Sequence, residues 1–106
     1  RRALAWHWWE VTDLPDAYLG EPVTVLAESD ACSVHAFAVG SAVWGIQFHL
    51  EALSATAKRW AGAGPQRLIE LGIDPDALVD QVAAAEQELQ DGWSPVVDAW
   101  LALLRP

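Results

Sequence analysis

With 106 residues, 53 % hydrophobic and 20 % charged, the chain has the size of one domain and enough apolar side chains to bury a core, which excludes a disordered polymer. Fifteen Asp and Glu against six Lys and Arg give a formal charge of −9, so nucleic-acid phosphates and anionic lipid headgroups are repelled rather than steered in. The single cysteine, Cys32, excludes an internal disulfide and a Cys-rich zinc site, and points to a reducing, cytoplasmic home.

No apolar run reaches membrane-spanning length, and Arg1-Arg2 is not followed by the apolar core of a signal peptide. No methionine occurs, so the natural start is expected to have been cleaved or cut away. Three of the seven tryptophans crowd into Trp6, Trp8 and Trp9, where large aromatics ordinarily signal core or interface.

The first half reads as strands. Ala3 to Trp9 is apolar and aromatic and predicts a first strand, ended by the turn chemistry of Asp13-Leu14-Pro15-Asp16. Val23 to Ala27 is β-branched and bounded by Gly20 and Pro22 before and Glu28-Ser29-Asp30 after, a second strand. His35 to Val39 and Ala42 to Phe48 flank Gly40-Ser41, which predicts a tight hairpin.

Beyond it the apolar period lengthens to that of helices. Ser54 predicts an N-cap for a helix running through Trp60 and closed by Gly62-Ala63-Gly64-Pro65. Pro65 then opens a short helix that Gly72 stops from the C′ position. Asp74-Pro75 caps a third helix, striped by Leu78, Val79, Val82 and Leu89 and ended by Asp91-Gly92. Ser94-Pro95 repeats the device for a fourth, striped by Val96, Val97, Trp100, Leu101 and Leu104. The expected organisation is one domain or partial domain, strand-rich over 1–53 and built of about four helices over 54–106.

Gly45-Ile46-Gln47-Phe48-His49-Leu50-Glu51 is the most specific stretch for chemistry. If extended geometry persists, the period of two puts Gln47, His49 and Glu51 on one side and Trp44, Ile46 and Phe48 on the other. A carboxylate two positions from a histidine fixes the imidazole tautomer and stabilises its protonated form, as a catalytic base requires. The alternative on residues alone is a solvated strand rim. Cys32 reads either as a nucleophile in a loop beside acidic groups or as a small residue packed at the hairpin's start. His35 reads as a structural or surface histidine. The acids between Asp74 and Asp91 lie around an amphipathic helix, a solvated face rather than a metal site.

The heptapeptide resembles the Gly-Val/Ile-Gln-Phe-His-Pro-Glu signature of class I glutamine amidotransferases. Trp6-His7-Trp8-Trp9-Glu10 leading to Asp13-Leu14-Pro15 is similar to that family's Trp-His-Gly-Asp segment before Asp-Leu-Pro, and Ser29-Asp30-Ala31-Cys32 resembles a stretch lying between the two. Gly72-Ile73-Asp74-Pro75 and Ala99-Trp100-Leu101 resemble the helical tail of stand-alone members related to the glutaminase domain of GMP synthase.

The resemblance implies the C-terminal part of an α/β, flavodoxin-like domain with a mixed central sheet. It implies an enzyme that hydrolyses the side-chain amide of glutamine through a Cys-His-Glu triad, with no cofactor and no metal. His49 would be the general acid/base, Glu51 its orienter, and His7 and Trp8 substrate contacts.

The family's Gly-x-Cys-x-Gly elbow is absent, since Cys32 has neither glycine beside it. The nucleophile is therefore expected in an N-terminal half outside these residues, making this chain inactive alone. A synthase partner or self-association is the expected company. Leu50 replaces the family's proline, and Trp8-Trp9 stands where a small glycine is usual. A non-catalytic binding or regulatory module, with Trp8-Trp9 filling the old glutamine pocket, is the competing expectation.

Overall fold

The computed structural model describes residues 2–7 and 9–104; Trp8, expected in the first strand and at the substrate, lies outside them. The described residues form a mixed α/β chain of two antiparallel sheets and three helices. The chain divides into two compact units, Ala5–His49 and Arg1–Leu4 with Leu50–Pro106.

The strand unit is built on a four-stranded meander of β2 (Ala17–Tyr18), β3 (Glu21–Ser29), β4 (Cys32–Val39) and β5 (Val43–Ile46), lying side by side in that order. Short β1 (Leu4–Ala5) pairs with β6 (Phe48–His49) in a separate two-stranded sheet. Among the described residues the predicted first strand thus shrinks to Leu4 and Ala5, since Trp6, His7 and the stretch from Trp9 to Pro15 follow no regular element.

Local chemistry sets each turn. Leu19 and Gly20, both at positive φ (51° and 81°), turn β2 into β3 with Tyr18 facing Glu21, the two-residue geometry that matches strand twist. Asp30-Ala31 turns β3 into β4, with Ser29 facing Cys32. Val39 faces Val43 across the next turn, so Ala42 belongs to a three-residue loop with Gly40 and Ser41 rather than to the strand.

In β4 the period of two is visible in burial, with Cys32, Val34, Ala36 and Ala38 inward. β3 carries one extra residue at Leu26, because Val25 faces Phe37 while Ala27 already faces Ala36. Gly45 faces Phe37, and a Cβ there would sit 2.4 Å from the Phe37 ring. The aromatic covers the glycine, so a side chain at that place would have to displace the Phe37 ring.

The helical unit consists of α1 (Ser54–Ala63), α2 (Pro65–Glu70) and α3 (Pro75–Ala102). Leu4, Ala52, Ala57 and Val82 form its core with Trp60 packed against them. Small residues dominate the contact: Ala57, Ala61 and Ala85 are buried, which lets helix backbones approach closely.

Gly72 at φ 78° ends α2 as expected, with its N–H on the Ile69 carbonyl (2.9 Å) and the Ile73 N–H on that of Leu68 (2.9 Å). This is the paired bonding of a Schellman stop. Asp74 caps α3 by accepting from the Asp76 and Ala77 N–H groups at 3.0 and 3.4 Å.

Two expectations are corrected. Ser54 is the first helical residue rather than the cap. Leu53 takes the cap position without a side-chain bond, and the Glu86 carboxylate of α3 accepts from both the Ser54 N–H (2.9 Å) and Oγ (3.1 Å). A carboxylate from another helix thus serves the positive end of α1.

The third and fourth predicted helices are one, running unbroken through Gly92 and Pro95. Proline at the first helical position and proline inside a helix look alike locally; what differs is whether the preceding turn persists. Here contacts N-terminal to Pro95 hold it: Leu89 is buried, Gln87 Nε2 donates to Asp91 Oδ1 (2.8 Å), and Trp93 Nε1 donates to the Arg2 carbonyl (2.9 Å). No helix among the described residues is long and apolar enough to cross a membrane.

Candidate functional site

In the strand unit the first five residues of the heptapeptide run from the end of β5 into β6, with Gln47 as the single residue between them. The half-buried His49 ring is tied to the other distinctive stretch of sequence: His49 Nε2 lies 2.9 Å from the Trp6 carbonyl, 43 positions away. A carbonyl only accepts, so Nε2 carries the hydrogen of this bond, and the neutral form of such a ring keeps its basic lone pair on Nδ1.

Gln47 makes a second tie. Its Oε1 accepts from the Val11 N–H (2.8 Å), while its Nε2 donates to the Val11 carbonyl (3.3 Å) and to the Val34 carbonyl. The amide reads both backbone groups of Val11 as a neighbouring strand would, and anchors the irregular 9–15 segment to β4. The Gln47 N–H itself donates to the His35 carbonyl (2.8 Å). Tertiary structure therefore brings Trp6 and Val11 together with Gln47 and His49. Gln47 was legible only as part of a motif; its clamp needs the position of Val11, which no local pattern encodes.

Glu51 belongs to the helical unit and is exposed, in the bend between β6 and α1. It lines a cleft of about 340 Å³ with Leu50, Leu53, Trp93, Val97 and Asp98. His7 is exposed, and Trp9 is 90 % exposed. Trp9 therefore fills no pocket, and Trp8, named with it in the expectation for the degenerate module, lies outside the described residues.

Cys32 is 7 % exposed on the inward face of β4, with its thiol donating to the Val34 carbonyl at 3.4 Å. A packed thiol of this kind is a small core residue rather than an activated nucleophile. His35, half-buried on the opposite face of β4, meets Ser29 Oγ at 2.8 Å through Nε2, a contact within the sheet. Among the described residues no group of three or more His, Cys, Asp or Glu is arranged to hold a metal ion.

The helical unit carries the clearest electrostatic pair. Arg2 donates to both Glu88 carboxylate oxygens, from Nε at 3.3 Å and Nη2 at 2.5 Å. The hydrogen bond from Arg2 holds the Glu88 carboxyl below its usual range, and Glu88 in turn raises the Arg2 guanidinium. With both side chains more than half exposed, the pair is a fastening for the segment before β1 rather than a reactive centre.

No protein-family model, no curated protein and no solved structure matches this chain.

Proposed function

We propose that this chain carries the acid–base part of a class I glutamine amidotransferase, in a flavodoxin-like domain whose nucleophilic thiol comes from residues other than these. The observation that carries the reading is the meeting of the two stretches with the family's character: Trp6 holds the His49 ring and Gln47 clamps Val11. Residues far apart in sequence that match one family's motifs, and that bond to one another at a strand end, are what a shared site requires.

In this reading the thiol gives its proton to His49 Nδ1 and its sulfur attacks the carboxamide carbon of glutamine. The C–N bond breaks as His49 returns the proton to the departing nitrogen, releasing ammonia and leaving a glutamyl thioester. Water, deprotonated by His49, hydrolyses the thioester to glutamate and the free thiol. Glu51 stabilises the imidazolium formed in each half, and His7 and Trp8 flank the substrate. A synthase that consumes ammonia is the expected partner, in the cytoplasm that the lone Cys32 suits.

The buried Cys32 thiol is no nucleophile in either reading; the second, a non-catalytic amidotransferase-like module, differs in having none at all. The two separate in one assay: ammonia release from L-glutamine by the protein as its gene encodes it. The enzyme reading expects release that falls about 100-fold or more in His49→Ala, the usual worth of a positioned base, and less in Glu51→Gln. No release by the wild-type protein supports the module instead, and release unchanged in His49→Ala overturns the acid–base role of His49.

A further inference from the structure

The four-stranded sheet ends at β5, and the polarity of its outer edge follows from one bond. Gln47 faces His35 in the β4–β5 register, and the Gln47 N–H donates to the His35 carbonyl. Antiparallel pairs alternate between bonded and non-bonded, so Gly45 and Val43 also point their N–H and C=O groups toward β4. The N–H and C=O groups of Trp44 and Ile46 point the other way, outward from the sheet.

Such an edge is normally blunted by lysine, proline or charge. This one carries none: no Asp, Glu, Lys or Arg occurs between Asp30 and Glu51, in a chain of net charge −9. Its side chains are apolar and open, with Val43, Trp44 and Ile46 between 40 % and 54 % exposed. A row of outward backbone groups left to water is a template on which a further strand can pair. Two copies of so acidic a chain repel one another over most of their surfaces, and the uncharged edge is where that repulsion is weakest.

We propose that β5 pairs antiparallel with β5 of a second copy of this chain, about a two-fold axis passing through Gly45. In that register Trp44 lies opposite the partner subunit's Ile46 and exchanges both backbone bonds with it. The symmetry repeats the exchange, giving four bonds and one continuous eight-stranded sheet. Glycine on the axis keeps the crossing point free of side chains. The inference is independent of glutamine chemistry, because its test reads mass and amide exchange rather than activity.

The test is sedimentation equilibrium of the 106-residue chain between micromolar and several hundred micromolar, with amide hydrogen exchange read residue by residue. The expected result is a reversible shift from 11.5 kDa toward twice that mass, with Trp44 and Ile46 amides becoming protected as the dimer fills. Ile46→Pro deletes an outward N–H and no bond to β4, and Trp44→Lys places a charge on the edge. Both are expected to be monomeric, with circular dichroism showing the fold retained. A wild-type monomer at every concentration overturns the proposal. So does a dimer that survives both substitutions, or one in which the Trp44 and Ile46 amides stay unprotected, since another surface then joins the copies.

Discussion

In Ala5–His49 the turns decide which strands meet, and side chains then fasten the irregular 9–15 segment to the sheet. In the helical unit the order is reversed: α3 runs for 28 residues, and contacts remote in sequence decide where α1 begins and whether α3 continues. Leu19-Gly20, Asp30-Ala31 and Gly40 to Ala42 each join neighbours in the chain. Glu86 reaches Ser54 across 32 positions and Trp93 reaches Arg2 across 91. The difference teaches where local sequence stops being informative: it names turns and caps well, but not the contacts that override them.

The largest expected effect probes that override. Pro95 inside α3 forfeits the bond to the Asp91 carbonyl and crowds it, so Pro95→Ala should stabilise the chain by up to about 3 kcal/mol. Chemical denaturation measures this. A loss of stability would mean that Pro95 starts a separate helix, as Ser94-Pro95 suggests in isolation.

The matching test of the strand unit is Gln47→Leu. It removes the bonds to Val11 and Val34 while keeping bulk, and should cost about 2 kcal/mol, or three bonds at modest net worth each. Proteolysis between Trp9 and Asp16 should accelerate with it. A neutral result, with the segment still protected, would show that the clamp is not what holds it.

How much was readable follows the same division. The Gly72 stop, the Asp74 cap and the hairpin at Gly40-Ser41 were legible because each is fixed by the conformational preference of the residues that make it. The capping of Ser54 by Glu86 and the continuity of α3 were not, since both depend on which helix packs beside which. At the candidate site, His49 and Glu51 were visible as a spacing, whereas the Trp6 carbonyl could not be. Every residue has a carbonyl, and only tertiary structure selects one.

Two smaller effects sharpen the contrast. Leu19 holds φ 51° on an exposed turn, a conformation that costs a bulky residue about 1 kcal/mol or more and that asparagine tolerates. Leu19→Asn should therefore raise stability by roughly 1 kcal/mol with the β2–β3 register unchanged in amide exchange.

The smallest is the pH dependence of the Arg2–Glu88 pair. Because Arg2 lowers the Glu88 carboxyl in the folded chain, the pair's contribution is fully present above the unfolded value of Glu88. It is lost as pH falls through the lowered folded value. Acid titration of stability should be slightly steeper in the wild type than in Glu88→Gln, and the difference should shrink in high salt.

The most direct check of the central claim, that the Trp6 carbonyl holds the His49 ring and sets which nitrogen is basic, is the ring's tautomer. Long-range proton–nitrogen correlation spectra of nitrogen-15-labelled protein, recorded at a pH where the ring is neutral, report which nitrogen bears the hydrogen. The account predicts hydrogen on Nε2 and a lone pair on Nδ1. A ring with its hydrogen on Nδ1, or one averaging between the two forms, would contradict it.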